Sequence, residues 1–208
     1  MRDDVLHALA DEAAAMSGGC GATAAVWAHS GATSALVASQ PELGELVELE
    51  HLLGDGPGLA ALRSERPVTV PDLARDPRWV RFGREALARG LRGCVAASGQ
   101  DSGVTAVITV YGLRPGEPGE AAAPFVVSLA RQAARLSTLA DAEERHLREV
   151  RHLRQTMEGR ETIEQAKGML MQALGVDAEQ AFAELRRTSQ NAHLKLRDVA
   201  ERLIAREI

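Results

Sequence analysis

The chain has 208 residues, 45% hydrophobic, 25% charged and only 3% aromatic, with a formal net charge of −5. That length accommodates one ordinary module plus a small one, and the charge balance excludes a strongly basic, non-specific polyanion binder. No apolar run approaches the ~20 residues of a bilayer-crossing helix, and the acidic start MRDDVLHALADEAAAM is unlike a targeting peptide, so a cytoplasmic chain with no membrane partner is expected.

Along the chain, Val5, Leu6, Leu9, Ala13 and Met16 recur at helical spacing and predict an opening helix ended by SGGCG. ATAAVWAH and SALVAS, separated by the turn-prone SGAT, read as a hairpin. RPVTVPDL, CVAAS and VTAVITVYG supply further strands, the last two joined by the polar GQDSG. ELVELEHLLGDGPGLAALRSE and PRWVRFGREALARG read as short helices between them. An antiparallel sheet flanked by helices, an α+β module, accommodates this mixture. Cys20 and Cys94 lack CxxC spacing and partner histidines, so no metal, disulfide framework or cofactor is expected.

After RPGEPGEAAAP the pattern changes. From Phe125 to Leu174 there is no proline, and Leu129, Ala133, Leu136, Leu139, Leu147, Val150, Leu153 and Met157 mark one long helix. Part of this series fits a heptad, interrupted at Glu143 and His146, which suggests a coiled-coil seam holding a homodimer; the competing reading packs the helix on its own domain. Gly175 fits a helix-terminating position, and Asp177 with Gln180 forms a capping-box pattern. The stripes Ala178, Ala181, Phe182, Leu185 and Leu196, Val199, Ala200, Leu203, Ile204 then predict two short helices, completing an all-α three-helix unit. The charge divides accordingly, −6 up to residue 150 and +1 beyond it.

Arg160 and Ile163, QAKGMLM, AFAELRRTSQ and LKLRDVA together resemble the ANTAR domain, over roughly residues 150–206. GDGPGLAALRSERPVTVPDLARDPRW and GVTAVITVYG are similar to bacterial GAF domains, over roughly residues 5–140. The resemblance implies a GAF-like sensor domain at 1–140 and a coiled-coil helix with an ANTAR RNA-binding domain at 141–208. It further implies a dimeric transcription antiterminator that binds paired RNA stem-loops. Their six-nucleotide loops would carry A at the first position and G at the fourth, and the protein would catalyse no reaction.

The candidate RNA-binding residues are Arg160, Gln165, Ala166, Lys167, Gly168, Arg186, Arg187, Ser189, Gln190, Asn191, Lys195 and Arg197. Glycine within a helix costs ~1 kcal/mol relative to alanine, so Gly168 calls for a close approach, by RNA or by a neighbouring helix; Ala166 would leave similar clearance. Lys167 offers an ammonium to a phosphate, Gln165 an amide to a base edge. Arg160 lies about two turns before Lys167 and shares its face. The later arginines, amides and Lys195 gather at a helix end and a helix start; Arg197 and Asp198 also fit helix-stabilising pairs. Arg145, Arg148, Arg151, Arg154, His146 and His152 wander around the long helix and read as a solvated face.

In the sensor half, Trp27, Trp79, Phe82, Cys94 and Tyr111 are candidate linings of a small-molecule pocket, with core packing as the competing reading. Neither cysteine has a bilin-attachment context. Two other functions compete with antitermination. One is DNA-binding regulation, weakened if RRTSQNAH is a loose link rather than a tight turn; the other is thiol chemistry at Cys20 or Cys94.

Overall fold

In the computed structural model, which describes residues 2–27 and 33–205 (side chains of residues 153, 155, 156 and 158 excepted), α1 (Arg2–Met16) leads into β1 (Gly21–Trp27) and β2 (Thr33–Ala38). Then follow α2 (Pro41–Leu53), α3 (Pro57–Ser64), β3 (Val68–Val70), α4 (Val80–Ala88), β4 (Gly93–Asp101) and β5 (Val104–Gly112). The five strands form one antiparallel sheet in the order β2-β1-β5-β4-β3. The anticipated SGAT turn falls largely at residues 30–32, outside the described residues.

Strand alternation builds a core on each face of the sheet. Ala22, Ala24, Val26, Val95, Ala97, Ala106, Ile108 and Val110 point to α1 and the first turns of α5 (Ala123–Leu174), meeting Leu6, Leu9, Ala13, Val126, Leu129 and Ala133. Many of these are alanine, so the helices lie close to the sheet and little aromatic bulk is needed. Gly99 makes the closest approach: a Cβ there would stand 2.2 Å from the Arg131 backbone nitrogen. The opposite face carries α2, α3 and α4, with Leu43, Leu46, Val70, Phe82, Cys94 and Tyr111 in one cluster and Ala25, Trp27, Val47, Leu59 and Val107 in another.

The β4–β5 turn is shorter than GQDSG suggests. Gly99 to Asp101 belong to the strand, leaving only Ser102 and Gly103, with φ of 43° and 79°. Both residues of a type I′ hairpin turn need positive φ, and this turn matches the right-handed twist of the flanking strands.

The chain divides into two compact units, Met1–Ala142 and Glu143–Ile208. α5 runs uninterrupted for 52 residues and stops at Gly175, whose φ of 64° ends it in the left-handed region. α6 (Ala178–Ala192) starts with the capping box: Asp177 accepts from the Gln180 amide at 2.8 Å, and the Gln180 side chain accepts from the Asp177 amide at 3.4 Å. α7 (Leu196–Ile204) closes the second unit around Ala166, Leu185, Val199 and Ala200, with Ile163, Leu170 and Leu203 partly buried against them. Phe182, expected on the inward stripe of α6, is instead 41% exposed. It flanks Ala181, which is buried.

Candidate nucleic-acid interface

The inward face of α5 in the second unit is set by Gly159, Ile163, Ala166 and Leu170, spaced by four, three and four residues. At about 100° per residue, that spacing fixes where the neighbours point. Lys167 falls on one flank beside Arg160. Gln165 falls on the other flank, and Gly168 on the outward side. Arg160, Gln165 and Gly168 are exposed and Lys167 is half-buried, its ammonium paired with Glu164.

Two expectations for this stretch need correction. Ala166 is fully buried against Leu185, Val199 and Ala200, so it is a packing residue, and its small size admits the crossing helices rather than RNA. Nor does a neighbouring helix approach Gly168: among the described residues, nothing lies within 4 Å of where its Cβ would be. The glycine under a crossing side chain is Gly159, buried, with Arg197 Cδ 3.5 Å from its would-be Cβ. Gln165 and Lys167, two residues apart, do not face each other.

On α6, Ala181 and Leu185 point inward, which turns Arg186, Arg187, Gln190 and Asn191 outward; all four are exposed. Arg187 pairs with Glu184 at 2.8 Å, and Arg197 donates to Glu201 at 2.7 Å. Exposed pairs of this kind contribute only about 0–1 kcal/mol, so a phosphate can displace the carboxylates at little cost. Lys195 is exposed at the start of α7.

Ser189 has a different task from the one expected. Its hydroxyl donates to the Leu194 carbonyl at 2.6 Å, while the Leu194 amide donates to the Ser189 carbonyl at 3.1 Å. Between them His193 adopts φ of 53°. These bonds secure a link of only three residues between α6 and α7. RRTSQNA lies within α6, so the link is a tight turn after all.

In the first unit the five candidate pocket residues do not converge. Trp79, Phe82, Cys94 and Tyr111 pack in one core cluster, whereas Trp27 belongs to another and stacks on His51 with ring centroids 5.7 Å apart. Only Trp79 and Phe82 reach a surface depression of about 250 Å³, shared with Leu53, Asp55, Pro77, Arg78, Val80 and Arg81. Trp79 Nε1 donates to Asp55 at 3.0 Å, and the Arg78 guanidinium sits 4.3 Å from its ring centroid. Burial pushes the Cys94 thiol far up and the half-buried Cys20 thiol up as well. Neither therefore has the depressed pKa of a reactive thiolate.

The sequence reading passed over Glu50. It is 3% exposed, and its carboxylate accepts from the Gly58 amide at 3.0 Å and the Leu59 amide at 3.2 Å, at the start of α3. The signal was present: Leu43, Leu46, Val47 and Glu50 form one helical stripe whose last member is acidic. Among the described residues no group of three or more His, Cys, Asp or Glu is arranged to hold a metal ion.

A family model of the GAF domain matches residues 2–136, and one of the ANTAR domain matches residues 151–204. The chain belongs to the GAF family and carries an ANTAR domain. No curated protein matches it in sequence. Solved structures resemble the GAF–ANTAR chain in fold. GAF3 from Slr1393 of Synechocystis, in its photoproduct state, is 11% identical over 70% of this chain and 99% of that one, with a TM-score of 0.55. Escherichia coli SdiA is 14% identical over 96% of this chain and 88% of that one, with a TM-score of 0.50. At such identities the likeness is one of fold alone. The GAF–ANTAR architecture makes this a regulator with an RNA-binding antitermination domain. Among the described residues no helix is long and apolar enough to cross a membrane.

Proposed function

We propose that this GAF–ANTAR protein works as a homodimer that binds two RNA stem-loops with six-nucleotide loops and so favours an antiterminator over a terminator, with the GAF half receiving the signal. The observation that supports the reading is the outward band Arg186, Arg187, Gln190 and Asn191 on α6, with Lys195 at the start of α7 and Arg160 and Lys167 on one flank of α5. Unstacked loop bases are read by stacking and by hydrogen bonds on exposed edges. The band offers guanidinium planes and amides for both. The protein catalyses nothing in this reading, and the raised thiols argue against cysteine chemistry.

The tight α6–α7 turn keeps DNA binding as a second reading, because a helix-turn-helix favours such a link. One titration separates the two. The chain is expected to bind a paired stem-loop RNA with AnnGnn loops and to ignore loop-scrambled RNA and duplex DNA. Lys167→Ala and Arg187→Ala each weaken binding and, if each meets one phosphate, lower the salt slope by roughly 0.7 to 0.9. Equal affinity for scrambled loops sinks the sequence-specific reading. Preference for duplex DNA replaces it.

A further inference from the structure

Glu50 is a buried acid for which the surrounding backbone makes room. A Cβ on Gly56 would lie 2.4 Å from Glu50 Cγ, and one on Gly58 would lie 2.7 Å from Glu50 Oε2. The glycines of GDGPG thus clear two positions for one carboxyl group. α3 has no side-chain cap of its own at Gly56. Glu50, reaching across from α2, supplies acceptors to two of the amides that a helix start leaves unpaired.

Opposed forces act on this group. The two amides and the positive end of α3 favour the carboxylate, whereas burial in the core favours the neutral acid. Asp55, on the loop between α2 and α3, adds a like charge that also favours the acid. From the sheet, Cys94 on β4 and Tyr111 on β5 face it; both are fully buried, and both feel the Glu50 charge. None of these neighbours is a cation. Burial prevails and pushes Glu50 up to about 7.

We propose that the start of α3 is a proton-operated latch: with Glu50 neutral, residues 54–59 stay closed on α2, and loss of that proton loosens them. The movement has a route outward. Asp55 accepts from both the Gly56 amide at 2.9 Å and Trp79 Nε1 at 3.0 Å, so the loop is tied to the residue preceding α4 and to the depression beside it. As the signal of the GAF half, the latch rests on the sensing role proposed above; as a local switch it rests on the Glu50 geometry alone.

The sign follows from linkage. An acid whose titration lies higher in the closed form than in the open form stabilises the closed form at low pH, and that stabilisation is lost as pH rises towards the closed-form value. Opening should therefore grow between about pH 4.5 and about 7 and level off above. Amide hydrogen exchange of the full chain, corrected for intrinsic rates, is the readout. Protection across residues 54–59 is expected to fall more than tenfold between pH 5 and 7.5, while α1 and β5 stay unchanged. Glu50→Gln should flatten the response. Asp55→Asn, which keeps the acid but removes the neighbouring charge, should shrink it and serves if the glutamine variant does not fold. Flat protection in the wild-type chain, or a full response in Glu50→Gln, overturns the latch. RNA affinity measured over the same range tests the sensing role separately: pH-dependent in the wild type and flat in Asp55→Asn if the role holds, unchanged in both if it does not.

Discussion

An exposed glycine in mid-helix gives up about 1 kcal/mol relative to alanine, and Gly168 returns nothing for it within the protein, since the space its Cβ would occupy is open among the described residues. Gly168→Ala should therefore raise the stability of the free chain by about 1 kcal/mol, read as an increase in the denaturation midpoint. If a nucleotide approaches the α5 backbone at this point, the same methyl must also weaken RNA binding, by tenfold or more. Higher stability with unaltered affinity would remove Gly168 from the interface and leave the flank bearing Arg160 and Lys167 as the contact. Gly159 behaves oppositely. It is buried beside Arg197, so a larger residue there disturbs the meeting of α5 and α7 without informing on RNA.

At the scale of elements, α6 and α7 are 15 and nine residues long, too short to be stable alone in water, so their ends and the link between them matter. Ser189 closes that link through Leu194. Ser189→Ala is expected to destabilise the second unit by about 1 kcal/mol while RNA affinity per folded molecule stays unchanged; a loss of affinity in fully folded protein would return Ser189 to the interface. This is a place where residue type misleads, because a serine among arginines and amides looks like a ligand and only the backbone path of α6 into α7 shows it to be a clamp. The sequence carried the α5 stop at Gly175, the Asp177–Gln180 box and the strand stretches, since each depends on local chemistry within a few residues. It could not carry the burial of Ala166 or the separation of Trp27 from Tyr111. Those depend on which helix crosses which face, a long-range outcome. Glu50 lies between the cases: its acidic place in an apolar stripe is local, but the glycines that accommodate it become meaningful only once α3 folds back onto α2.

For the whole molecule, the formal charge of −6 up to residue 150 and +1 beyond means that affinity for a polyanion cannot come from bulk attraction. Pairing two copies is the economical solution, because a second loop engaged on the same RNA adds avidity without new contacts. The material for pairing lies along α5, where Leu136, Leu139 and Met157 are 39%, 58% and 64% exposed in the single chain and fall on the heptad positions. The side chain of Leu153, on the same seam, lies outside the described residues. Replacing Leu139 and Met157 together by lysine should change the fold of one chain little, since surface substitutions are usually within about 0.5 kcal/mol. Within a helix pair the same lysines would be forced together in an apolar seam. Sedimentation of the double variant is expected to give monomers at concentrations where the parent is dimeric. Its affinity for a single stem-loop should persist while the advantage of a two-loop RNA disappears. A variant that remained dimeric would place the pairing surface elsewhere, and a parent that was monomeric throughout would leave the α5 leucines without a partner and the two-loop reading without its geometry.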